Sequence, residues 1–377
     1  MAECLNSLLH DDTRYDKISK EHKGSLQWLW THEKYQKWSS SERSSLLYIE
    51  GKPGSGKSTL AKYFRENLQN TSSSIIVNYF YTLRGTTLEL THENMLRSVL
   101  YSILKKDETF FPLFQSKFRK FGSHNDSKWP YESLQHILSS LASHPFTKRL
   151  YLILDAMDES EENDRRKIIG LLCQLCAKSQ SCIIKIFLAS RPISQFTHEV
   201  KNGHHVIRLQ DENEKDISEF ARSFLGPKLG LPRNILNEAT KYIVENAQGM
   251  FVWVYLVQQT LLEYAERGCT TNQIFNFLKS LPTELDAFYR DILRELEKRE
   301  EPGVKDGLRM FQFVLFTYRP LRLAELNHAL AIIDDPDAEF ITSDESFERD
   351  LIHGIDKRVV YCGGNLLEIK GLDGTFS

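Results

Sequence analysis

Residues 51 to 59 read GKPGSGKST, and this run constrains the fold more strongly than any other stretch of the sequence. It matches the spacing G-x-x-x-x-G-K-[ST] at Gly51, Gly56, Lys57 and Ser58. The apolar run LLYIE precedes it and the helical pattern STLAKYFRENL follows it, which is the context that a phosphate-binding loop requires. An incidental turn between two ordinary elements is the alternative, and this context argues against it.

A loop of this kind binds phosphate mainly through its backbone. Glycines let successive N–H groups face inward, and the following helix adds partial positive charge at its amino end. The Lys57 ammonium is predicted to reach the β and γ phosphates, and the Ser58 hydroxyl to ligate Mg²⁺. The predicted nucleotide contacts are Gly51, Lys52, Pro53, Gly54, Ser55, Gly56, Lys57, Ser58 and Thr59.

A second metal partner is expected at the end of a neighbouring strand. The run RLYLILDAMDES supplies an apolar strand that ends in Asp155, which is placed to hold Mg²⁺ through water. Asp158 or Glu159 then orients or deprotonates the attacking water, and we favour Glu159. A solvated acidic helix start is the alternative for DAMDESEEND, but it explains Asp155 less well than the later acids.

The stretch FLASRP places Arg191 just past the end of a buried strand, on the edge where open α/β sheets bind ligands. A guanidinium there is predicted to contact the γ-phosphate, the alternative being a surface salt bridge. The predicted catalytic set is therefore Lys57, Asp158, Glu159 and Arg191, with Ser58 and Asp155 as metal ligands.

The fold class is predicted to be α/β, a P-loop NTPase core with a mostly parallel five-stranded sheet. Strand-like runs alternate with helical ones through residues 45–210, as in a sheet covered on both faces. Residues 1–44 form a helical lead segment, 211–301 an α-helical domain, and 302–377 an incomplete winged helix. In the last segment, RVVYCGG and NLLEIK are predicted to pair as a hairpin.

Composition excludes several classes of protein. Lys plus Arg number 48 against 51 Asp plus Glu, a net charge of −3, so neither nucleic acid nor an anionic membrane is an expected partner. The apolar runs fall short of the ~20 residues of a membrane span, and we expect a cytoplasmic protein. Cys173, Cys176 and Cys182 are predicted to be reduced core thiols rather than a metal site.

The sequence resembles the NACHT domains of the STAND class of signalling P-loop NTPases, most closely the fungal type of incompatibility and immune-receptor-like proteins. The resemblance rests on IEGKPGSGKSTL, on LILDAMDES with its Asp-small-x-Asp-Glu pattern, and on LASRP. It extends to EHKGSLQWLW, YFYTLRG, LQDENEKDI, GMFVWVYLV, LPTELDAFYRDIL and RPLRLAELNHALAI, and so covers nearly the whole chain.

This resemblance implies a nucleotide-dependent switch. Nucleoside diphosphate would hold the core, helical domain and winged helix closed, and exchange for triphosphate with Mg²⁺ would open them into a homo-oligomer. Hydrolysis would be slow and would reset the state. Effector and sensor domains would lie outside this chain. The sequence does not distinguish ATP from GTP, since it lacks the guanine-reading N-K-x-D.

At GMFVWVYLV, plant and animal relatives of the family that this chain resembles carry a proline that packs on the base, and this chain has none. Ile18 and His22 of the lead segment are the candidate base contacts instead, whereas Trp28 and Trp30 are predicted to pack a helix. Two other functions stay open: an AAA-like ATPase built for rapid turnover, and a nucleotide-binding fragment without its own output.

Overall fold

The computed structural model describes most of the chain. The described residues are 1–8, 10–68, 74–83, 86–121, 129–145, 149–178, 181–193, 205–298, 303–317, 319, 321–332, 348–363, 366–367, 369–370 and 375–376. They form two compact units. The first unit is Met1–Ser223 with Ile243–Val254, and the second unit is Phe224–Tyr242 with Tyr255–Ser377.

A five-stranded parallel sheet organises the first unit, as predicted. Its strands are β1 (Ser45–Glu50), β2 (Ser74–Phe80), β3 (Arg149–Asp155), β4 (Ile183–Ser190) and β5 (His205–Arg208). Their order across the sheet is β2-β3-β4-β1-β5. In register, Glu50 of β1 pairs with Ser190 of β4, and Asp155 of β3 pairs with Ala189. The carboxyl ends of β1, β3 and β4 therefore reach the same edge.

Both faces of the sheet are buried, which explains the continuous apolar runs. Successive side chains of a strand point to opposite faces. In β1, Leu46 and Tyr48 join one hydrophobic cluster, whereas Leu47 and Ile49 join the other.

Helices cover the two faces and fill the lead segment. The helices that begin before residue 210 are α1 (Ala2–Ser7), α2 (Arg14–Lys17), α3 (Trp28–Thr31), α4 (Glu33–Ser40), α5 (Lys57–Asn67), α6 (His92–Lys106), α7 (Phe111–Phe121), α8 (Tyr131–Ser140), α9 (Arg165–Lys178) and α10 (Leu209–Glu212). The last three residues of the DAMDE stretch, Met157–Glu159, form a short 3-10 helix.

A fully buried lysine, Lys185, lies near the amino-terminal end of β4. The Lys185 ammonium donates to the carbonyl oxygens of Trp38 and Arg43 at 2.7 and 2.8 Å, and to Ser45 Oγ at 3.0 Å. All three donors are thus satisfied. Burial lowers the pKa of Lys185 to about 8, with Arg149 adding to the shift.

From residue 211 onward the chain is mainly helical. The helices are α11 (Glu214–Leu225), α12 (Arg233–Ala247), α13 (Phe251–Ala265), α14 (Thr271–Ser280), α15 (Leu285–Glu297), α16 (Gly303–Phe316), α17 (Leu323–Ala331) and α18 (Ile355–Gly363). Three two-residue strands, β6 (Leu321–Arg322), β7 (Ile369–Lys370) and β8 (Thr375–Phe376), pair antiparallel in the order β6-β8-β7.

The hairpin predicted from RVVYCGG and NLLEIK is wrong in its first arm. Residues 355–363 form helix α18, and β7, at the end of NLLEIK, pairs instead with β8. The physical reason is the spacing of Ile355, Val359 and Cys362, which places all three on one helical face against the small core around Met310. Tertiary packing therefore overrides the strand preference of the β-branched pair in RVVY.

Within the part of the chain that the structure describes, no helix is long and apolar enough to cross a membrane. The cysteines are free thiols. Burial raises the pKa of Cys176 and of Cys182 to about 12, which describes unreactive core thiols.

Candidate functional site

The glycine-rich loop, residues 51–56, joins β1 to α5 at the carboxyl edge of the sheet. Gly54 and Gly56 have φ of +71° and +94°, a region that favours glycine, and Gly56 caps the amino end of α5. An ideal Cβ on Gly51 would lie 2.5 Å from Ser55 Oγ, so the loop closes too tightly for a side chain there. The backbone of the loop is thus compact, with positive φ at two of its glycines.

Lys57 turns back over this loop. Its ammonium donates to the carbonyl oxygens of Gly51 and Lys52, both at 2.9 Å. Burial lowers its pKa, and the nearby carboxylates of Asp158 and Asp155 oppose that shift. The cation therefore sits between the loop and the two predicted acidic groups.

Strand β4 lies between β1 and β3 and ends just before Arg191, the residue predicted to contact the γ-phosphate. It therefore connects the loop with that arginine. The amide of Gly51 donates to the carbonyl of Ser190 at 3.2 Å, and the hydroxyl of Tyr48 donates to the carbonyl of Arg191 at 2.9 Å. These bonds fix the end of β4 beside the start of the loop.

Asp155 ends β3 with its carboxylate buried. Among the described residues, neither of its oxygens has a hydrogen-bond partner of normal geometry. Burial raises its pKa to about 6, against the opposing effects of the Ser58 hydroxyl, Arg14 and Lys57. A buried carboxylate without a partner is costly unless a cation neutralises it, so this donor set fits the predicted magnesium site.

The described residues contain no group of three or more His, Cys, Asp or Glu side chains that could hold a metal by themselves. A magnesium ion needs no such cage, because it usually keeps several waters and takes one or two protein ligands plus phosphate oxygens. Ser58 and Asp155 are such a limited set.

Asp158 and Arg191 are paired with each other. The amide of Arg191 donates to Asp158 Oδ1 at 2.9 Å, and its Nε lies 3.2 Å from Oδ2. The Arg191 side chain is 52% exposed, whereas that of Asp158 is 16% exposed. The arginine thus has solvent-facing donors left while the aspartate has little free surface.

Glu159 is directed away from that pair. Its Oε2 accepts a hydrogen bond from the amide of Leu83 at 3.0 Å, in the segment that follows β2. The short 3-10 helix that carries both Asp158 and Glu159 starts after Ala156, whose φ of +54° is uncommon for a residue with a side chain. Arg165 braces this short helix by donating to Asp158 O at 3.2 Å and to Ser160 Oγ at 3.1 Å.

The candidate base contacts occupy less distinctive positions. Ile18 is buried in the core, and its carbonyl accepts from Lys62 Nζ at 2.8 Å. The His22 ring makes an edge-to-face contact with Phe220 at a centroid distance of 5.3 Å. Trp28 and Trp30 pack against the core on the α5 side of the sheet. The base-binding role of Ile18 and His22 stays a prediction.

Sequence reasoning missed two residues at this site. Arg14, in the lead segment, lies close enough to Asp155 to lower its pKa. The fully buried Asn213 donates through Nδ2 to the carbonyls of Ser55 and Gly249, both at 2.8 Å. Arg14 lies in the unremarkable run DDTRYDK, and Asn213 in LQDENEKDI, where spacing signals no role for a buried amide.

Comparison with known proteins gives two matches, one to part of the chain and one to most of it. The family model described as "Nephrocystin 3, N-terminal" matches residues 24–191. The vegetative incompatibility protein HET-E-1 of Podospora anserina is 25% identical over 352 residues, which cover 88% of this chain and 25% of that protein. The chain is thus similar to this family over the loop and most of the sheet, and to HET-E-1 over most of its length. The match spans only about a quarter of the length of HET-E-1.

Solved structures give weaker similarities to this chain. The Walker-type ATPase of Pyrococcus abyssi is 16% identical with a TM-score of 0.42, over 97% of each chain. A Drosophila ORC structure bound to DNA is 10% identical with a TM-score of 0.40, over 99% of this chain and 87% of that one. Scores this low carry no argument, so the fold assignment rests on the parallel sheet and its strand order.

Proposed function

We propose that this protein is a nucleotide-dependent signalling switch of an NLR-like immune or incompatibility receptor, acting in the cytoplasm. It binds ATP or GTP with Mg²⁺, hydrolyses the nucleotide slowly, and couples nucleotide state to opening and assembly into a homo-oligomer. Effector and sensor domains would lie outside this chain.

The engagement of both candidate water-orienting carboxylates is the observation that carries this proposal. Asp158 uses both oxygens on Arg191, and Glu159 accepts from the amide of Leu83. A general base must be within hydrogen-bond reach of the water that it deprotonates. Both oxygens of Asp158 and one oxygen of Glu159 already have partners, and this arrangement favours slow turnover over rapid hydrolysis.

The glycine-rich loop would bind the phosphates, and Ser58 and Asp155 would hold Mg²⁺. When bound, the ion would neutralise charge on the phosphate oxygens. Lys57 would transfer its two hydrogen bonds from the loop carbonyls to the phosphates, and Arg191 would use its exposed donors for the terminal phosphate. The contacts of Lys57, Asp155 and Arg191 described above support these roles.

We also propose the domain boundaries: a lead segment at 1–44, a core at 45–210, a helical domain at 211–301 and a winged-helix-like domain at 302–377. The arrangement of α16, β6, α17, α18, β7 and β8 supports the last of these, since it combines helices with a small three-stranded antiparallel sheet.

The test is to identify the nucleotide released on denaturing the purified chain and to measure its mass in solution before and after adding ATP or GTP with Mg²⁺. We expect bound diphosphate, a monomer, and assembly with triphosphate. Rapid hydrolysis without a change in mass would contradict the switch and favour the turnover ATPase. Binding with neither hydrolysis nor assembly would favour a nucleotide-binding fragment.

A further inference from the structure

Asn213 joins two segments that are far apart in sequence. It is fully buried between α10 and α11, and its amide nitrogen bridges the carbonyl of Ser55, in the glycine-rich loop, and the carbonyl of Gly249. Both distances are 2.8 Å, which is within the best range for such bonds. A single side chain thereby ties the loop to the turn that leads into α13.

A second contact ties the same two segments together. The amide of Val252 donates to the carbonyl of Gly54 at 3.1 Å. An ideal Cβ on Gly54 would lie 2.8 Å from Val252 Cβ, so the two backbones approach as closely as glycine permits. We call Asn213 and Val252 the carbonyl clamp, because each donates to a carbonyl of the loop.

The turn on the far side of the clamp has a forced shape. Gln248 and Gly249 both have positive φ, at +48° and +77°. An ideal Cβ on Gly249 would lie 2.3 Å from the carbonyl oxygen of Gln210, so only glycine fits there. Such a backbone persists only where its surroundings fix it, and Asn213 is one of the groups that does so.

The clamp controls where the loop's N–H groups point. A trans peptide is planar, with its C=O and N–H directed to opposite sides. Asn213 holds the carbonyl of Ser55, so the amide of Gly56 in the same peptide points the other way. Gly56 directly precedes Lys57, and its amide is one that a bound phosphate would use.

Burying the polar side chain of Asn213 costs free energy that an apolar residue of the same size would not cost. Within the described part of the chain, its Oδ1 has no hydrogen-bond partner although it is buried. A buried acceptor without a partner costs about 1–3 kcal/mol. The two donated bonds are therefore its distinctive contribution.

We propose that Asn213 is a positioning residue that orients the Ser55–Gly56 peptide toward the nucleotide phosphates and couples that peptide to residues 248–252. This inference rests on the proposed nucleotide-binding function. Through it, phosphate binding would change the stability of the turn, and a loosened turn would weaken phosphate binding.

Asn213→Ala removes both donors without adding a charge. We expect it to weaken binding of the Mg²⁺ triphosphate about tenfold, the effect of losing one to two net hydrogen bonds. Asn213→Ser keeps one donor, so its affinity for the Mg²⁺ triphosphate should lie between that of the unsubstituted chain and that of Asn213→Ala. The result then does not depend on the alanine variant alone. Asn327→Ala is the matched control, since Asn327 also bridges backbone, at Ile352, but lies in the second unit.

Amide hydrogen exchange separates positioning from a general loss of stability. In the unsubstituted chain, nucleotide should slow exchange both at residues 56–60 and at 248–254. In Asn213→Ala at saturating nucleotide, protection should persist at 56–60 and no longer change at 248–254. Unchanged affinity together with an unchanged response at 248–254 would overturn the role of Asn213. Failure of the unsubstituted chain to bind nucleotide would instead contradict the proposed function, and the first titration reveals it.

Discussion

At the scale of single residues, Lys57 gives the sharpest prediction. Lys57→Ala should lower nucleotide affinity by about a hundredfold or more, because charge-assisted bonds to phosphate are lost. Isothermal titration with ATP and GTP measures this directly. Lys37→Ala is the control, since Lys37 forms an exposed pair with Glu33 on α4, away from the loop. An unchanged affinity in Lys57→Ala would remove the loop from the binding site.

Substitution also shows which of Glu159 and Asp158 is the catalytic acid. Glu159→Gln keeps an oxygen that can accept from the Leu83 amide, so binding should persist while hydrolysis slows about a hundredfold. The triphosphate-bound assembly should become more stable. A normal single-turnover rate in this variant would move the catalytic role to Asp158, and Asp158→Asn is measured in parallel.

The metal role of Asp155 is tested by comparing binding with and without Mg²⁺. Asp155→Ala should weaken the Mg²⁺-dependent affinity and leave the affinity in the presence of a chelator nearly unchanged, because the buried carboxylate is the predicted partner of the cation. Equal losses under the two conditions would refute the assignment.

The residue scale also shows what sequence could reach. Residues 51–58 and Asp155 were predictable because motif and strand position coincide. The pairing of Asp158 with Arg191 was not, because it depends on the register of β3 against β4. Asn213 could not be found at all, since its contacts join residues that are 158 and 36 positions away.

At the scale of secondary-structure elements, packing decided what local pattern could not. The five strands were predictable from buried apolar runs, and the long helices from their apolar spacing. Helix α18 was misread because its β-branched residues resemble a strand and its partners lie far off in sequence. Helix α18 packs closely against α16, since an ideal Cβ on Gly307 would lie 2.8 Å from the carbonyl of Cys362. This contact stabilises the helix but joins residues that are too far apart in sequence for a local pattern to predict.

His92 links the start of α6 to the acidic segment after β3, and this element-level contact carries a pH prediction. Its ring nitrogens contact the hydroxyl of Tyr81 at 2.8 Å and the carbonyl of Glu161 at 3.2 Å. Burial lowers the pKa of His92 to about 4; Arg165 lowers it further, while the bond to Glu161 and the charge of Asp164 oppose the shift.

The unfolded chain therefore binds a proton at His92 at a higher pH than the folded chain does. The contribution of His92 to the free energy of unfolding is fully present above about pH 6.5, and it falls by up to about 3 kcal/mol as the pH drops toward 4. His92→Gln should lose this dependence, as measured by urea unfolding at several pH values. Asp155 and Asp12, whose pKa values burial raises to about 6, act in the opposite direction, so the comparison is between variants.

The exposed His136 on α8 provides the control for this series. His136→Gln should keep the pH dependence of the unsubstituted protein. If His92→Gln also kept it, the buried imidazole would not be the group responsible.

At the scale of the whole molecule, the division into two units predicts how ligand stabilisation is distributed. All five tryptophans of the chain belong to the first unit: Trp28, Trp30, Trp38, Trp129 and Trp253. Tryptophan fluorescence therefore follows that unit alone, whereas far-ultraviolet circular dichroism follows both.

Mg²⁺ nucleotide at a hundred times its Kd should stabilise the fluorescence transition by about 2.7 kcal/mol, because the proposed contacts lie in the first unit. The part of the dichroism transition without a fluorescence counterpart should shift less. Identical shifts by both methods would mean that the chain unfolds as one cooperative body. Lys57→Ala supplies the control without ligand response.

The buried amine of Lys185 can report how often the protein opens around it. Acylating reagents modify only an uncharged amine that they can reach, and with a pKa of about 8 this amine is far more often uncharged at neutral pH than a surface lysine. Because the side chain is also fully buried, a reagent reaches it only when this part of the protein opens. The rate at which Lys185 gains an acyl group, followed by mass spectrometry at constant pH, would thus report how often the amino-terminal end of β4 opens, without any added probe.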